Sequence, residues 1–235
     1  TKAWVQEENK VTFDYLSKIP FRDKIKKRIE EMWNYPKYGA PFRKGDAYYF
    51  SKNDGLQNQA VWYKQKTLTG KPEVFIDPNK FSEDGTVSLG TINFSRSGKY
   101  VAYSLQKSGS DWQEGYVMDA TAKKLLSDKL QWLKFTGFSW KGDEGFYYSR
   151  YPEPTEGQEL KGKNISQRVF YHKLGTSQSE DKLVYEDKDH PQRFVRVSLT
   201  EDNRFLILDK SEGTSGGEIC FWDTKDPAQT EFKVL

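Results

Sequence analysis

FSRSGKYVAY, residues 94–103, recurs in altered form three more times in this chain of 235 residues. Each copy has a polar turn with glycine or asparagine, where a positive φ is useful, and then a strand rich in aromatic or aliphatic residues. The other copies are PFRKGDAYYF at 41–50, SWKGDEGFYY at 139–148 and LTEDNRFLIL at 199–208. The copies are 53, 47 and 58 residues apart, measured between the turn residues Gly45, Gly98, Gly145 and Asn203.

Two further strands are predicted after each of these hairpins. The third strands are expected at 60–65, 115–120, 168–174 and 218–223, and the fourth at 73–77, 123–127, 182–186 and 231–235. Four antiparallel strands in about 50 residues is the period of a β-propeller blade, whereas an immunoglobulin-like sandwich has about seven strands and no such repeat. The predicted fold class is therefore mainly β, a partial propeller of about four blades at 38–78, 90–128, 135–187 and 193–235.

The first 34 residues have a helical pattern instead. One apolar stripe is formed by Phe21, Ile25, Ile29, Met32 and Trp33, and a shorter helix before it is indicated by Trp4, Val11, Tyr15 and Leu16. The expected organisation is two short helices in a segment at 1–34, followed by propeller blades at 35–235. No closing strand is evident, and an open propeller would expose two sheet edges. We therefore expect the chain to be part of a longer protein.

Composition excludes several classes of function. Charged residues make up 30% of the chain, but 15% are aromatic, and each aromatic side chain buries roughly 150–250 Å², enough to build a folded core. The 37 basic and 34 acidic residues are interspersed, whereas nucleic-acid binders concentrate their positive charge. No apolar run reaches the ~18 residues of a membrane span. With one cysteine, Cys220, and two histidines, neither a metal site nor a cofactor is expected.

Short segments spread along the chain are specific in combination. They are PKY at 36–38, NDGLQNQ at 53–59, DPN at 77–79, SEDGT at 82–86, SGSDW at 108–112, KF at 134–135, YH at 171–172 and LGTSQSED at 174–181. Together with the opening residues Trp4 to Asn9, this set closely resembles the N-terminal segment and first propeller blades of the prolyl oligopeptidase (prolyl endopeptidase) family. The resemblance covers essentially the whole chain and is weakest between 152 and 167.

The resemblance implies a seven-bladed propeller over an α/β-hydrolase domain, with the active site between them. Such enzymes are serine-type endopeptidases that cleave short peptides after proline with a Ser-Asp-His triad, while the propeller gates access. The triad would lie in the hydrolase domain, so no catalytic residue is expected in this chain, and residues 1–34 would pack on that domain. The implied partners are short proline-containing peptides and the hydrolase domain, without nucleic acid or membrane; a soluble cytoplasmic or periplasmic location is left open.

Three residues are implied to bind substrate: Phe135, Phe194 and Thr214. They would contribute to the pocket for the substrate residue two before the proline. An aromatic side chain at the first strand of a blade can offer an apolar face to a peptide in the central cavity, and ordinary core packing is the alternative. Thr214 departs from the small thiol that some family members carry, which leaves the polarity of the pocket open.

Asp111, in SGSDW, is implied to face the domain interface and to pair with an arginine that helps to hold the substrate. The alternative is an aspartate that caps its own turn before Trp112. The polar stretch 152–167 interrupts the third blade, and a loop of this length is either functional or disordered. In the family a mobile loop lies here near the substrate entrance.

Two patterns suggest other chemistry. GTSGG at 213–217 matches the G-x-S-x-G nucleophile motif, but a strand rather than a helix follows, and both histidines lie upstream, so a hairpin loop is predicted. Glu83 and Asp84 before Gly85 are interpreted as turn residues rather than metal ligands. The alternative functions are a stand-alone propeller that binds a peptide or protein without catalysis, and a scaffold without a ligand.

Overall fold

The chain is described by a computed structural model that covers residues 1–214 and 216–235. Helices α1 (Lys2–Ser17) and α2 (Arg22–Trp33) come first, as predicted. The expectation that the first helix is the shorter is wrong, because α1 has 16 residues and α2 has 12. Its sequence is rich in lysine, glutamate and other good helix formers and contains neither glycine nor proline before Pro20, so nothing ends it earlier.

Four antiparallel sheets follow, each a blade, and in three of them the strands neighbour one another strictly in chain order. Blade 1 consists of β1 (Lys37–Tyr38), β2 (Phe42–Lys44), β3 (Ala47–Asn53), β4 (Val61–Gln65) and β5 (Glu73–Ile76). Blade 2 consists of β6 (Val87–Phe94), β7 (Tyr100–Lys107), β8 (Gln113–Asp119) and β9 (Lys124–Leu133). Blade 3 consists of β10 (Ser139–Lys141), β11 (Gly145–Arg150), β12 (Arg168–Lys173) and β13 (Lys182–Glu186), and blade 4 of β14 (Phe194–Leu199), β15 (Phe205–Ser211), β16 (Glu218–Asp223) and β17 (Lys233–Val234). The predicted partial propeller of about four blades is confirmed.

The first strand of blade 1 is broken into two pieces, which gives that sheet five strands. Tyr38 lies opposite Lys52, and Phe42 lies opposite Tyr49. The chain therefore advances four residues from Tyr38 to Phe42 while the partner strand β3 advances only three. Such an extra residue is a bulge, and Pro41, which has no N–H to donate, lies within it.

The third turn differs from the prediction in its glycine. Gly142 has the positive φ, +55°, whereas Gly145 already belongs to β11 and lies opposite Lys173. A Cβ on Gly145 would come within 2.1 Å of the His172 carbonyl oxygen, so this position needs glycine because two backbones approach closely there.

The hydrophobic core is divided into three clusters, each lying between two neighbouring blades. Blades 1 and 2 share Tyr49, Phe75, Phe94 and Val101; blades 2 and 3 share Val117, Leu130, Leu133, Phe138, Trp140 and Phe146; and blades 3 and 4 share Val169, Val195, Leu208 and Cys220. Leu130 and Leu133 in the second cluster explain why β9 continues to Leu133, beyond the predicted end at 127. Burial of these side chains therefore joins blades to one another.

The segment NDGLQNQ, on which the resemblance largely rests, joins blade 1 to blade 2. The side chain of Gln59 donates to the Val87 carbonyl oxygen at 2.8 Å and accepts from the Leu89 N–H at 3.0 Å. Asn53 accepts from the Gly55 N–H and donates to the Gln57 carbonyl, which closes the turn. The hydrogen bonds of Asn53 and Gln59 therefore explain why an asparagine and a glutamine stand at these positions.

A buried ionic network joins blades 2 and 3. The His172 ring on β12 lies between two carboxylates, with Nδ1 2.7 Å from Asp181 and Nε2 3.0 Å from Asp128 on β9. The His172 side chain is fully buried. Tyr148 donates its hydroxyl to Asp181 at 2.6 Å, and the Gly175 N–H donates to Asp128 at 2.7 Å. Because both ring nitrogens face carboxylates, the imidazolium form satisfies the network best.

The charges in this network alter its titration. Burial by itself lowers the pKa of His172, but the hydrogen bonds to Asp128 and Asp181 outweigh it and raise that pKa from 6.5 to about 9. Burial acts to raise the pKa of Asp128, but hydrogen bonds from His172 and from the Gly175 N–H hold it below its usual range. The protonated His172 and the ionised Asp128 therefore stabilise one another at neutral pH.

Both helices leave their apolar residues exposed. Neither α1 nor α2 buries a residue, and Ile25, Ile29 and Trp33 are each at least half exposed. None of the helices in the described ranges is long and apolar enough to cross a membrane.

The buried histidine predicts a loss of stability at alkaline pH. Because the folded-state pKa of His172 lies above the unfolded value, its contribution is complete below about pH 6.5 and disappears as the pH rises through about 9. The shift corresponds to at most about 3 kcal/mol. Urea unfolding of the chain between these pH values should show this decline, and the His172→Gln variant should lack it.

His190 provides the matched control, since it is the only other histidine and is exposed on the surface. The His190→Gln variant should retain the alkaline decline. A decline of equal size in His172→Gln would show that other groups cause it.

Candidate functional site

A cavity of about 390 Å³ is lined by residues of the first strands of blades 2 and 4 and of the connections before β8 and β10. It is lined by Thr91, Asp111, Gln113, Phe135, Thr136, Gly137 and Arg196. Two of the four residues singled out in the sequence, Phe135 and Asp111, therefore line one cavity although they come from different connections.

Phe135 lies in the connection between β9 and β10, and its side chain is 37% exposed. Its ring packs edge to face on Phe194, with the centroids 5.5 Å apart and the planes at 83°. Phe194, the first residue of β14, thus forms an aromatic wall with Phe135, although Phe194 itself is not among the residues that line the cavity. Phe135 has a φ of +52°, which is uncommon for a bulky residue and persists only where the surroundings fix it.

Gln167 fixes the backbone beside both phenylalanines. This side chain is 2% exposed; its Nε2 donates to the Lys134 carbonyl oxygen at 3.0 Å, and its Oε1 accepts from the Val195 N–H at 2.8 Å. On the other side of Phe135, the Thr136 hydroxyl oxygen accepts from the Ser149 N–H at 2.8 Å. The segment that carries Phe135 is therefore held from both ends.

Asp111 carries an exposed carboxylate that makes no hydrogen bond within residues 1–214 and 216–235. The turn before Trp112 is capped instead by Ser110, whose hydroxyl oxygen accepts from the Trp112 N–H at 3.1 Å. The alternative that Asp111 caps its own turn is therefore wrong. Burial lowers the pKa of the nearby Lys134 ammonium, and the negative charge of Asp111 opposes that shift.

The polar stretch 152–166 lies beside the cavity and is attached by two side chains. Trp112 Nε1 donates to the Glu159 carbonyl oxygen at 2.6 Å. Lys134 Nζ donates to Asn164 Oδ1 at 2.9 Å and lies 3.9 Å from the Trp112 ring centroid, a cation–π contact. Lys134 is only 8% exposed, and its contacts are with Asn164 and the Trp112 ring, while Asp111 acts on it through its charge without an ion pair.

Thr214 lies elsewhere, in the loop between β15 and β16, where it is exposed. The loop is at the same end of blade 4 as Phe194, because Phe194 lies opposite Ser211. Of the motif GTSGG, Ser215 lies outside the described residues, and its neighbours connect the antiparallel strands β15 and β16, in agreement with the predicted hairpin loop. No group of three or more His, Cys, Asp or Glu side chains is arranged to hold a metal ion in the part of the chain that the structure describes.

Sequence reasoning missed Arg196, Gln167 and the roles of Trp112 and Lys134. Arg196 could have been found, because it follows Phe194 by two residues and side chains two apart share one face of a strand. Gln167 gives no such signal, since its partners are 33 and 28 residues away in sequence.

Comparison with known proteins decides the family. The family described as "Prolyl oligopeptidase, N-terminal beta-propeller domain" matches residues 1–235. The chain belongs to this family. The resemblance noted from the sequence segments is thereby confirmed.

Relatives in the prolyl oligopeptidase family include a prolyl endopeptidase from Elizabethkingia meningoseptica, 49% identical over 99% of this chain and 32% of that protein. Prolyl oligopeptidase A from Amanita bisporigera is 35% identical over 92% of this chain. The solved structure of prolyl oligopeptidase B from Galerina marginata, bound to a 25-residue macrocyclization substrate, matches all of this chain with a TM-score of 0.87 at 27% identity. The chain spans about a third of the length of these curated relatives.

The position of Gln167 predicts a large effect of removing its amide. Gln167→Leu leaves the Lys134 carbonyl and the Val195 N–H buried without partners, at about 1–3 kcal/mol for each group. The free energy of unfolding, measured with urea, should fall by about 2–4 kcal/mol. Gln6→Leu, on the exposed helix α1, is the control and should change it by less than about 0.5 kcal/mol. A Gln167→Leu variant as stable as the control would contradict this role.

Proposed function

We propose that this chain gates access and lines the substrate cavity in a serine prolyl endopeptidase that hydrolyses short peptides on the carboxyl side of proline. The observation that carries the proposal is the cavity that Phe135 and Asp111 both line. The family match over the whole chain supports it. The catalytic triad would belong to a C-terminal α/β-hydrolase domain and not to these residues.

Phe135 and Phe194 would bind the substrate side chain two residues before the proline. The half-exposed edge-to-face pair presents a rigid apolar wall, and such a wall stabilises an aliphatic or aromatic side chain by removing it from water. Thr214 would close the same pocket from the β15–β16 loop. Its position at the same end of blade 4 as Phe194 supports this role.

Asp111 would pair with an arginine of the hydrolase domain across the domain interface. Its carboxylate is exposed at the mouth of the cavity and has no hydrogen-bond partner in the described ranges, as such a role requires. A bidentate contact would orient the guanidinium toward the substrate.

The loop at 152–166 would control entry to the cavity. It is attached beside the cavity through Trp112 and Lys134 rather than through a core of its own. Besides these contacts and the cation–π contact, the Ser166 N–H donates to the Pro191 carbonyl oxygen at 2.6 Å. A segment held by so few contacts is suited to open and close.

Residues 1–34 would pack on the hydrolase domain. The exposed stripe of Ile25, Ile29 and Trp33 on α2 supports this, because an apolar helix face is stable only when something covers it. A stand-alone binding module is the alternative, and it is not favoured, because the relatives that match this chain are peptidases about three times its length.

The proposal predicts that peptidase activity requires a hydrolase domain in addition to this chain. The purified chain should not hydrolyse a Gly-Pro chromogenic substrate, whereas the product of the uninterrupted gene should release the chromophore and be inactivated by a serine-directed phosphonate. Hydrolysis by the chain alone would place a catalytic group inside it. An inactive full gene product that still binds proline peptides would favour the binding-module alternative.

A further inference from the structure

Among the described residues, Arg196 is the one cationic side chain that lines the cavity. It lies on β14 two residues after Phe194, so the two side chains share one face of the strand. Val195 between them points the other way and is buried in the core between blades 3 and 4. The strand therefore presents an aromatic ring and a guanidinium side by side.

The guanidinium is oriented by the backbone of the aromatic wall. Arg196 Nε donates to the Phe135 carbonyl oxygen at 3.3 Å. Gln167 fixes this carbonyl indirectly, since it holds the adjacent Lys134 carbonyl. Arginine bound through Nε keeps both terminal nitrogens available for a second planar acceptor.

Those terminal nitrogens make no hydrogen bond or ion pair within residues 1–214 and 216–235, although the cavity holds a carboxylate. Asp111 lines the same cavity, but no ion pair within 4 Å joins it to Arg196 in the described chain. The nearby groups that ionise are Asp111, Lys134 and Tyr151. Burial raises the pKa of Tyr151 to about 12, although the positive charge of Arg196 acts to lower it. At neutral pH Tyr151 is therefore uncharged, and Arg196 and Lys134 together outnumber Asp111 in charge.

We propose that Arg196 is a specificity-determining residue that binds a carboxylate side chain of the peptide substrate on the amino side of the proline. The aromatic wall would hold an apolar part of the peptide, and the guanidinium beside it would bind a glutamate two to four residues before the proline through two parallel N–H···O bonds. This inference rests on the proposed function for the identity of the ligand.

The test compares fluorescent peptides that contain one proline and either glutamate or glutamine two, three or four residues before it. Dissociation constants are measured by stopped-flow fluorescence anisotropy with the full gene product, from the binding phase that precedes hydrolysis. At one or more positions, glutamate should bind about five- to tenfold more tightly than glutamine at low salt, and the difference should shrink at high salt. Equal affinities at all three positions overturn the proposal without any variant.

Substitution then identifies the residue. Arg196→Gln should abolish the preference, so that the glutamate and glutamine peptides bind with about equal affinity. Arg196→Lys should retain part of the preference, because lysine keeps the positive charge but cannot make two parallel hydrogen bonds to one carboxylate. Arg96→Gln is the matched control, because Arg96 lies in the turn after β6, away from the cavity, and pairs only with the exposed Glu201 in the described chain. A preference that survives Arg196→Gln overturns the proposal.

Cleavage of the same peptides separates this inference from the proposed function. Hydrolysis after proline without discrimination between glutamate and glutamine would refute the role of Arg196 and leave the peptidase intact. Discrimination in binding with no hydrolysis would support Arg196 and refute the peptidase.

Discussion

A single buried amide, Gln167, holds together the backbone on which the candidate site depends. It joins the Lys134 carbonyl to the Val195 N–H, and these groups stand next to Phe135 and Phe194. Because both bonds are shielded from water, loss of either one would leave a buried polar group without a partner, and this costs more free energy than the bond itself contributes. The positive φ of Phe135, the edge-to-face ring pair and the anchored guanidinium of Arg196 all lie beside this link, and the Thr136–Ser149 hydrogen bond holds the segment from its other side.

Buried polar contacts also join the other pairs of neighbouring blades. Each core cluster is shared by two neighbours, so apolar burial holds the blades together without fixing their detailed register. Directional contacts supply that register: Gln59 connects blade 1 to blade 2, and His172 with Asp128 connects blade 2 to blade 3. A buried ion pair is costly unless hydrogen bonds satisfy its charged groups. Here Tyr148 donates to Asp181 and the Gly175 N–H donates to Asp128, whereas Asp128 Oδ2 is buried without a hydrogen-bond partner in the described chain.

Much of the fold was predictable because the blade repeat is local. Alternating aromatic strands and glycine turns identify hairpins, and their spacing near 50 residues indicates blades. The departures have local causes as well, such as the bulge at Pro41 and the close backbone approach at Gly145. The site was only half predictable. Phe135 and Asp111 were found through a resemblance, whereas Gln167 and Lys134 act through partners distant in sequence, and neither periodicity nor composition records such contacts.

The central claim is that substrate peptide lies against Phe135 and Phe194. Photo-cross-linking tests it most directly, with a peptide that carries benzoylphenylalanine two residues before its proline and is bound to the full gene product. Mass spectrometry of the adducts should place them on residues 134–137 and on Phe194. Adducts confined to the outer strands β5, β9, β13 and β17, or to the helices α1 and α2, would contradict the account.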